Sequence, residues 1–273
     1  MTGDNNFYRE WQVQFTDEPQ YSGTISISRV GGNTQVSGQI SRNGSPDGSY
    51  VSTSVNFPNA KRLSLNFVLA TGHTGKIDLD LAETMVGGVV VSVSASGNYQ
   101  DDNGGDTGRL SLTPVFPNPN DAGSNFTYSA NITAQQRQTL QQRHVFAYQQ
   151  IMNCNSLTSQ QKDALRIAYT RQIDHDQELR AGVNASAFLG GHQVFVNFGV
   201  LFPQGNNEIS QTLIHEMMHN AGYGHPDRTA ADAPGDNGPY YSTPPLQAEL
   251  CIAGLQSDSS CTLDANGRCT INN

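Results

Sequence analysis

The 273 residues are enough for one large domain or two ordinary ones. The chain has 24 Asp and Glu against 15 Lys and Arg, and its formal net charge of −9 excludes the basic surface expected of a protein that binds nucleic acid or an anionic membrane. It also has no apolar stretch of the length that a membrane-spanning helix needs, so we expect no nucleic-acid partner and no membrane partner.

The first part of the chain is predicted to be all-β. Short runs of alternating apolar and polar residues recur over residues 7–113, for example Thr24–Ile27, Leu63–Phe67 and Lys76–Leu81. Segments rich in Gly and Asn separate these runs, as turns between strands do. About eight strands at this spacing are typical of an antiparallel sandwich or a small barrel, and the pattern does not choose between the two.

The composition changes after this region. Residues 114–131 contain Pro114, Pro117 and Pro119 together with several Asn and Ser residues, a composition typical of a linker between domains. We therefore predict an all-β domain over residues 1–113, a linker over 114–131 and a second domain over 132–273.

The second domain is predicted to be α+β. Two pairs of residues have the spacing of a capping box, which marks the start of a helix. The predicted elements are helices from Thr133/Gln136 and Thr158/Gln161 to about residues 152 and 172, a strand at 193–198, a helix from near Asn207, and a helix over about 246–255.

The segment from His215 to His225 carries the most specific chemistry. Residues four positions apart on a helix share one face, about 6 Å apart along the axis, so His215 and His219 can direct two imidazoles at one metal ion. Glu216 is close enough to act on a water molecule without binding the metal. His225 reaches the same point only if the helix ends first, and Gly222 supplies the left-handed backbone for that end. Three His ligands leave a fourth position open, which is typical of catalytic zinc.

This pattern, HExxHxxGxxH, resembles the zinc-binding motif of the metzincin metalloproteases. It fixes five positions in a chain with only seven His residues, so it is specific, although it covers a small part of the chain. The resemblance implies a zincin-like α+β catalytic domain, with His215, His219 and His225 as ligands of Zn²⁺ and Glu216 as the general base of an endopeptidase that acts on protein or peptide substrates. It also implies an edge strand that pairs with extended substrate, expected at 193–198.

One feature departs from the family pattern. Metzincins place a Met in a tight turn beneath the zinc, after the third His, and this chain has no Met after Met218. Residues 238–244 stand where that turn is expected. Some metzincins use a Tyr near the turn to stabilise the tetrahedral intermediate, which makes Tyr240 and Tyr241 candidates. A tyrosine buried in the core is the competing interpretation of either residue.

The cysteines bear on the cellular compartment. None is arranged as a CxxC pair, so a zinc–thiolate site is not expected; they are Cys154, Cys251, Cys261 and Cys269. A turn at Asn266 favours a local disulfide between the last two, which leaves the first two to pair. Disulfides indicate a secreted protein. Four free thiols in a cytoplasmic protein are the alternative, and the polar residues 1–6 predict no signal peptide in this sequence.

Three interpretations of the whole chain remain open. The first is an exported zinc endopeptidase with an N-terminal β accessory domain. In the second the β-domain is the functional part, a lectin-like or matrix-binding module with a carbohydrate or matrix ligand, and the peptidase is inactive or subsidiary. In the third residues 7–113 form an inhibitory prodomain, which has no Cys with which to block zinc. The intact Glu216 favours an active enzyme.

Overall fold

The computed structural model describes residues 6–228 and 239–253, and the backbone of residues 261–263 and 269–271. The chain divides into two compact units. The first consists of Met1–Thr84, Ser92–Val115 and Thr170–Gln172, and the second of Met85–Val91, Phe116–Tyr169 and Ile173–Asn273. Within the described parts of the chain, every helix is too short or too polar to span a bilayer.

Eight antiparallel strands form a closed barrel in the first part of the chain. Each strand pairs with the next along the sequence, and β1 also pairs with β8, where Val13 faces Leu112, so that the sheet closes on itself. The strands are β1 (Glu10–Phe15), β2 (Tyr21–Val30), β3 (Asn33–Arg42), β4 (Ser45–Asn59), β5 (Arg62–Leu69), β6 (Thr74–Val86), β7 (Val89–Asp101) and β8 (Thr107–Pro114).

Alternation along the strands produces the interior of the barrel. Ile25 and Ile27 of β2, and Leu63 and Leu65 of β5, are buried, whereas their neighbours in sequence are more exposed. This period of two is what a strand with one face on a core requires. Fully buried Trp11 also lies in this core, where its indole Nε1 donates a hydrogen bond of 3.0 Å to the carbonyl oxygen of Phe7.

The second unit contains helices around one apolar core and a four-stranded sheet in the order β11–β12–β10–β9. A pair of strands, β13 (Cys261–Leu263) and β14 (Cys269–Ile271), follows the last helix. The remaining elements are β9 (Thr127–Tyr128), α1 (Ala134–Asn153), α2 (Ser159–Thr170), β10 (Asp174–Gln177), β11 (Ala185–Ala187), β12 (Gln193–Val196), α3 (Phe198–Leu201), α4 (Asn206–Asn220) and α5 (Pro244–Ala253).

Both predicted capping boxes are confirmed. At the start of α1 the Thr133 hydroxyl accepts from the Gln136 N–H, and the Gln136 side chain accepts from the Thr133 N–H. Thr158 and Gln161 make the same reciprocal pair before α2. The segment predicted as a linker contributes Phe126, which is buried in the core of the second unit.

The fold class expected from the sequence, a sandwich or small barrel followed by a zincin-like α+β domain, is wrong as a whole. The first unit is a closed barrel. The described part of the second unit is a small, mainly helical body in which no zincin-like α+β domain is shown. Strands β9 to β12 have only two to four residues each, whereas α1 has 20. Local sequence signals locate helices well but do not tell how much sheet accompanies them, and the motif resemblance concerned one helix and its end.

The strand predicted as the edge strand is also misplaced. Gln193–Val196 is β12, which lies between β10 and β11 and pairs with both of them. Val194 and Val196 are fully buried there. An edge of this sheet is formed instead by β11, which pairs only with β12 among the described strands. Strand order depends on pairing between distant segments, which a run of apolar residues does not reveal.

A disulfide joins Cys154, at the end of α1, to Cys251 in α5, with a Cα–Cα distance of 5.7 Å and a sequence separation of 97 positions. This pairing was expected. The predicted bond between Cys261 and Cys269 falls on side chains outside the described residues; in the backbone pairing Cys269 faces Leu263.

Removing this bond should destabilise the protein. In Cys154→Ser/Cys251→Ser the unfolded chain regains the freedom of a long loop, and we expect a loss of about 2–5 kcal/mol in the free energy of unfolding. Urea denaturation under non-reducing conditions measures this loss. Cys251→Ser alone should cost a similar amount, since either substitution breaks the bond, and a double variant that unfolds at the wild-type midpoint would contradict the expectation.

Candidate metal centre

Helix α4 holds the first two candidate ligands. Its core side is formed by Leu213, Ile214, Met217 and Met218, which are fully buried. His215 and His219 are four positions apart and therefore lie one above the other on a neighbouring face. Their ring centroids are 4.7 Å apart.

The end of α4 brings the third histidine back to this face. Gly222 has φ of +105°, a value that residues with a side chain rarely adopt. Its N–H donates to the His219 carbonyl at 2.9 Å, and the Tyr223 N–H donates to the Met218 carbonyl at 3.0 Å. These two bonds form a Schellman motif, which stops the helix and reverses the chain. The predicted helix end at Gly222 is thus confirmed.

The Nε2 atoms of the three histidines converge. The Nε2 atom of His215 lies 3.0 Å from that of His219 and 3.0 Å from that of His225. Ligand atoms of all three residues lie within 4.8 Å of one another. Nitrogen atoms bound tetrahedrally to one ion at 2.0–2.1 Å are about 3.3 Å apart. The three histidines form a group that could hold a metal ion.

The Nδ1 atoms of His219 and His225 show which ring nitrogen carries the proton. The Nδ1 atom of His219 lies 2.8 Å from the Tyr223 carbonyl oxygen, and that of His225 lies 2.9 Å from the Pro226 carbonyl oxygen. A carbonyl oxygen can only accept, so both Nδ1 atoms donate. In the neutral rings each corresponding Nε2 atom then carries a lone pair and no proton, and these lone pairs point at one another. A bound cation stabilises this arrangement, whereas hydrogen bonds between the Nε2 atoms cannot, because neither atom has a proton to donate.

Burial keeps His219 neutral. Loss of solvent, together with the neighbouring His215 and His225, lowers the pKa of His219 to about 4. Only the neutral form of imidazole binds a metal, so the state that a ligand needs is the state that this environment favours.

Glu216 follows His215 on α4, and its carboxylate is buried and interacts with that histidine. Burial, together with the nearby Glu249, raises the pKa of Glu216 to about 7, although His215 and the N–H of Ala187 act in the opposite direction. Its Oε2 atom is buried and has no hydrogen-bond partner among the described residues. A buried carboxylate with a free oxygen and a pKa near neutrality can accept a proton and return it.

The structure adds one residue that the sequence did not suggest. Glu249 of α5 places Oε1 2.6 Å from the Nδ1 atom of His215. A carboxylate in this position fixes the orientation and tautomer of a ligand histidine and raises its basicity. Nothing in the sequence around Glu249 marks it, since its partner is 34 residues away and on another helix.

We expect this contact to strengthen metal binding. Replacing a partner of a ligand histidine typically lowers metal affinity about 10- to 100-fold. Glu249→Gln keeps an oxygen acceptor but loses the charge, so its loss of metal affinity should be near the lower end of this range. The loss for Glu249→Ala should be near the upper end. Competition with a chromophoric chelator measures the affinity. Leu250→Ala, on the exposed neighbour in α5, is the control, and equal affinity in all three variants and the wild type would refute the role of Glu249.

The two candidate tyrosines differ in position. The ring of Tyr240 packs against His225, with centroids 5.1 Å apart, and is partly exposed. Tyr241 is buried, packs on Tyr240 and lies near the guanidinium of Arg228. Tyr240 therefore contacts a candidate ligand, whereas Tyr241 contacts Tyr240. Part of the segment before them, residues 229–238, lies outside the described residues.

The remaining histidines do not join this group. His144 and His175 are buried together, with their Nε2 atoms 2.9 Å apart, and the Nδ1 atom of His144 lies 3.1 Å from the Tyr169 hydroxyl. Burial lowers the pKa of His175 to about 4. The pair forms a polar contact inside the core.

Comparisons with known proteins leave the family open. No family model matches the chain, and no curated protein matches it. Among solved structures, a redesigned β-barrel is similar to this chain, at 12% sequence identity and a TM-score of 0.31, over 41% of this chain and 94% of that one. A TM-score this low supports no conclusion about fold or function.

Proposed function

We propose that this protein is a zinc-dependent endopeptidase. The observation that carries the proposal is the convergence of three histidine Nε2 atoms, one of them on His215, which interacts with the buried carboxylate of Glu216. The Nδ1 atoms of His219 and His225 donate to backbone carbonyls, so the donor set is preorganised rather than accidental. The resemblance of residues 215–225 to the metzincin motif supports the same assignment.

The donor set favours zinc over other metals. Three neutral imidazoles with an open fourth position are typical of catalytic zinc, whereas magnesium and calcium prefer oxygen ligands. His215, His219 and His225 would hold the ion. When bound, zinc supplies Lewis acidity, which acidifies water and polarises a carbonyl group.

Glu216 is proposed as the general base. It takes a proton from the attacking water and passes it to the amine that leaves when the peptide bond breaks. A pKa raised to about 7 by burial suits both transfers, because the group is then neither too weak a base nor too weak an acid. Tyr240, beside His225, is the better placed of the two tyrosines to stabilise the developing oxyanion.

The edge strand β11 is proposed to bind the substrate. Its last residue, Ala187, donates its N–H to the Glu216 carboxylate, so this end of the strand lies at the proposed base. The following residues, Phe188 and Leu189, have 67% and 61% of their surface exposed. An extended peptide that adds to the edge of the sheet would lay apolar side chains on them, which points to substrates with apolar residues near the cleaved bond.

A secreted location is part of the proposal. The Cys154–Cys251 disulfide supports it, because such bonds persist in oxidising compartments and are rare in the cytosol.

Metal content and cleavage of a peptide library test the function together. We expect about one zinc per chain, loss of activity on chelation, recovery on adding zinc, and cleavage next to apolar residues. Phe188→Ser should change the cleavage profile without changing zinc content, with Val30→Ser, at a solvent-exposed position of the barrel, as the control. Protein that purifies without zinc and gains neither metal nor activity when zinc is added would refute the proposal.

A further inference from the structure

The interior of the barrel is not filled completely. A cavity of about 100 Å³ lies inside it, lined by side chains that include Val13, Ile25, Ile77 and Leu112. These residues are buried and apolar. An eight-stranded barrel is of the size at which side chains either fill the interior or leave room for one small ligand.

Three glycines in the barrel wall keep this space open. Each faces an aromatic residue on the neighbouring strand, and a Cβ atom on the glycine would come within 2.3–2.5 Å of the ring. The rings therefore lie over the glycines, against the wall, instead of filling the centre. The pairs are Gly38 with Tyr50, Gly75 with Phe67, and Gly108 with Tyr99.

The cavity opens at one end of the barrel. Phe15, Leu69 and Tyr99 line it and are partly exposed, whereas Ile25 and Leu112 also line it and are almost completely buried. The partly exposed residues lie at or near the carboxyl ends of β1, β5 and β7. Because neighbouring strands are antiparallel, these ends lie at the same rim of the barrel.

The charges at this rim are mostly negative. The Tyr99 hydroxyl donates to the Glu18 carboxylate at 2.9 Å. Asp101 lines the opening, where its carboxylate lies 3.5 Å from the Nδ1 atom of His73. An anionic ligand would have to pass these carboxylates, so the opening disfavours carboxylates such as fatty acids.

We propose that the barrel interior is a binding site for a small, uncharged, apolar molecule, which enters between Phe15, Leu69 and Tyr99. An apolar cavity of about 150 Å³ in another protein holds benzene. The barrel cavity is smaller, at about 100 Å³, but it is open at one end, so we expect it to take no more than a single ring or a short alkyl chain. The site is independent of the histidine centre and of the proposed peptidase activity.

Titration of the full chain with benzene tests the site. Methyl groups of Ile and Leu are labelled with ¹³C, and their NMR shifts are followed as benzene is added. We expect saturable shifts for Ile25, Ile77 and Leu112, with a dissociation constant of about 0.1–1 mM, as for a ligand of six carbon atoms. Benzoate, which has the same ring with a negative charge, should cause no such shifts.

Two variants and a control locate the binding. Val13→Phe fills the cavity and Leu69→Trp obstructs its opening, and each should weaken benzene binding at least about tenfold. Val51→Phe adds the same ring on the exposed outer face and should bind benzene as the wild type does. Leu69 is partly exposed, so its variant tests the site even if Val13→Phe does not fold. Absence of saturable shifts in the wild type, or wild-type affinity in a folded Val13→Phe or Leu69→Trp, overturns the proposal.

Discussion

Glu216→Gln should retain its zinc and its fold while losing most of its peptide hydrolysis. Gln is close to Glu in shape and can still accept a hydrogen bond from the Ala187 N–H, but it cannot take a proton from water. Loss of a general base typically slows a reaction about 10²- to 10⁴-fold, and in the proposed mechanism the same group also protonates the leaving amine. Turnover of a fluorogenic peptide and zinc analysis of the same sample measure both properties.

Glu208→Gln is the matched control for this substitution. Glu208 lies on the same helix, and burial and Glu249 raise its pKa above the ordinary value, but it is two turns away from Glu216. Its variant should hydrolyse peptides at nearly the wild-type rate. If Glu216→Gln is also nearly as fast as the wild type, Glu216 is not the base and the proposed mechanism is wrong.

His219→Ala should lose both the metal and the activity. The substitution removes one of three converging nitrogen atoms and the bond from its Nδ1 atom to the Tyr223 carbonyl. Loss of a partner of a ligand histidine alone costs about 10- to 100-fold in affinity, so loss of the ligand itself should cost more than about 100-fold. Equilibrium dialysis against zinc buffers measures this.

His73→Ala controls for the loss of a histidine elsewhere, since His73 is an exposed residue of the barrel. Its zinc affinity should match that of the wild type. Comparison of the two site variants then separates metal binding from proton transfer: Glu216→Gln is inactive with metal, and His219→Ala is inactive without it. A His219→Ala protein that binds zinc normally would remove His219 from the ligand set.

The parts of the fold that the sequence predicted correctly are those determined by residues close together in the sequence. Thr133 and Gln136 mark the start of α1 because both bonds of a capping box form within one turn. Gly222 marks the end of α4 because the left-handed backbone there requires a residue without a side chain. The alternation of apolar residues predicted strands, but a sandwich and a barrel share that alternation. Closure of the barrel depends on pairing between β1 and β8, about 100 residues apart.

The candidate site was likewise predicted only where its residues are close together in the sequence. The three histidines and Glu216 occur within eleven residues, so the motif holds them together. Glu249 approaches His215 only through the packing of α5 on α4, and no local pattern indicates it. The resemblance implied an edge strand, expected at residues 193–198, but Gln193–Val196 pairs on both sides and its valines are buried inside the sheet.

The hairpin between β6 and β7 has a consequence for how the protein can be divided. Its tip, Met85–Val91, belongs to the second unit, and Val89 lies 3.6 Å from the position that a Cβ atom would take on Gly222, at the helix end that positions His225. A single cleavage near residue 114 would therefore remove part of the support of the metal centre along with the barrel strands. One cleavage therefore does not separate the barrel from the second unit without loss. If residues 7–113 were an inhibitory prodomain removed on activation, their removal would also take away Val89 and its contact at the end of α4.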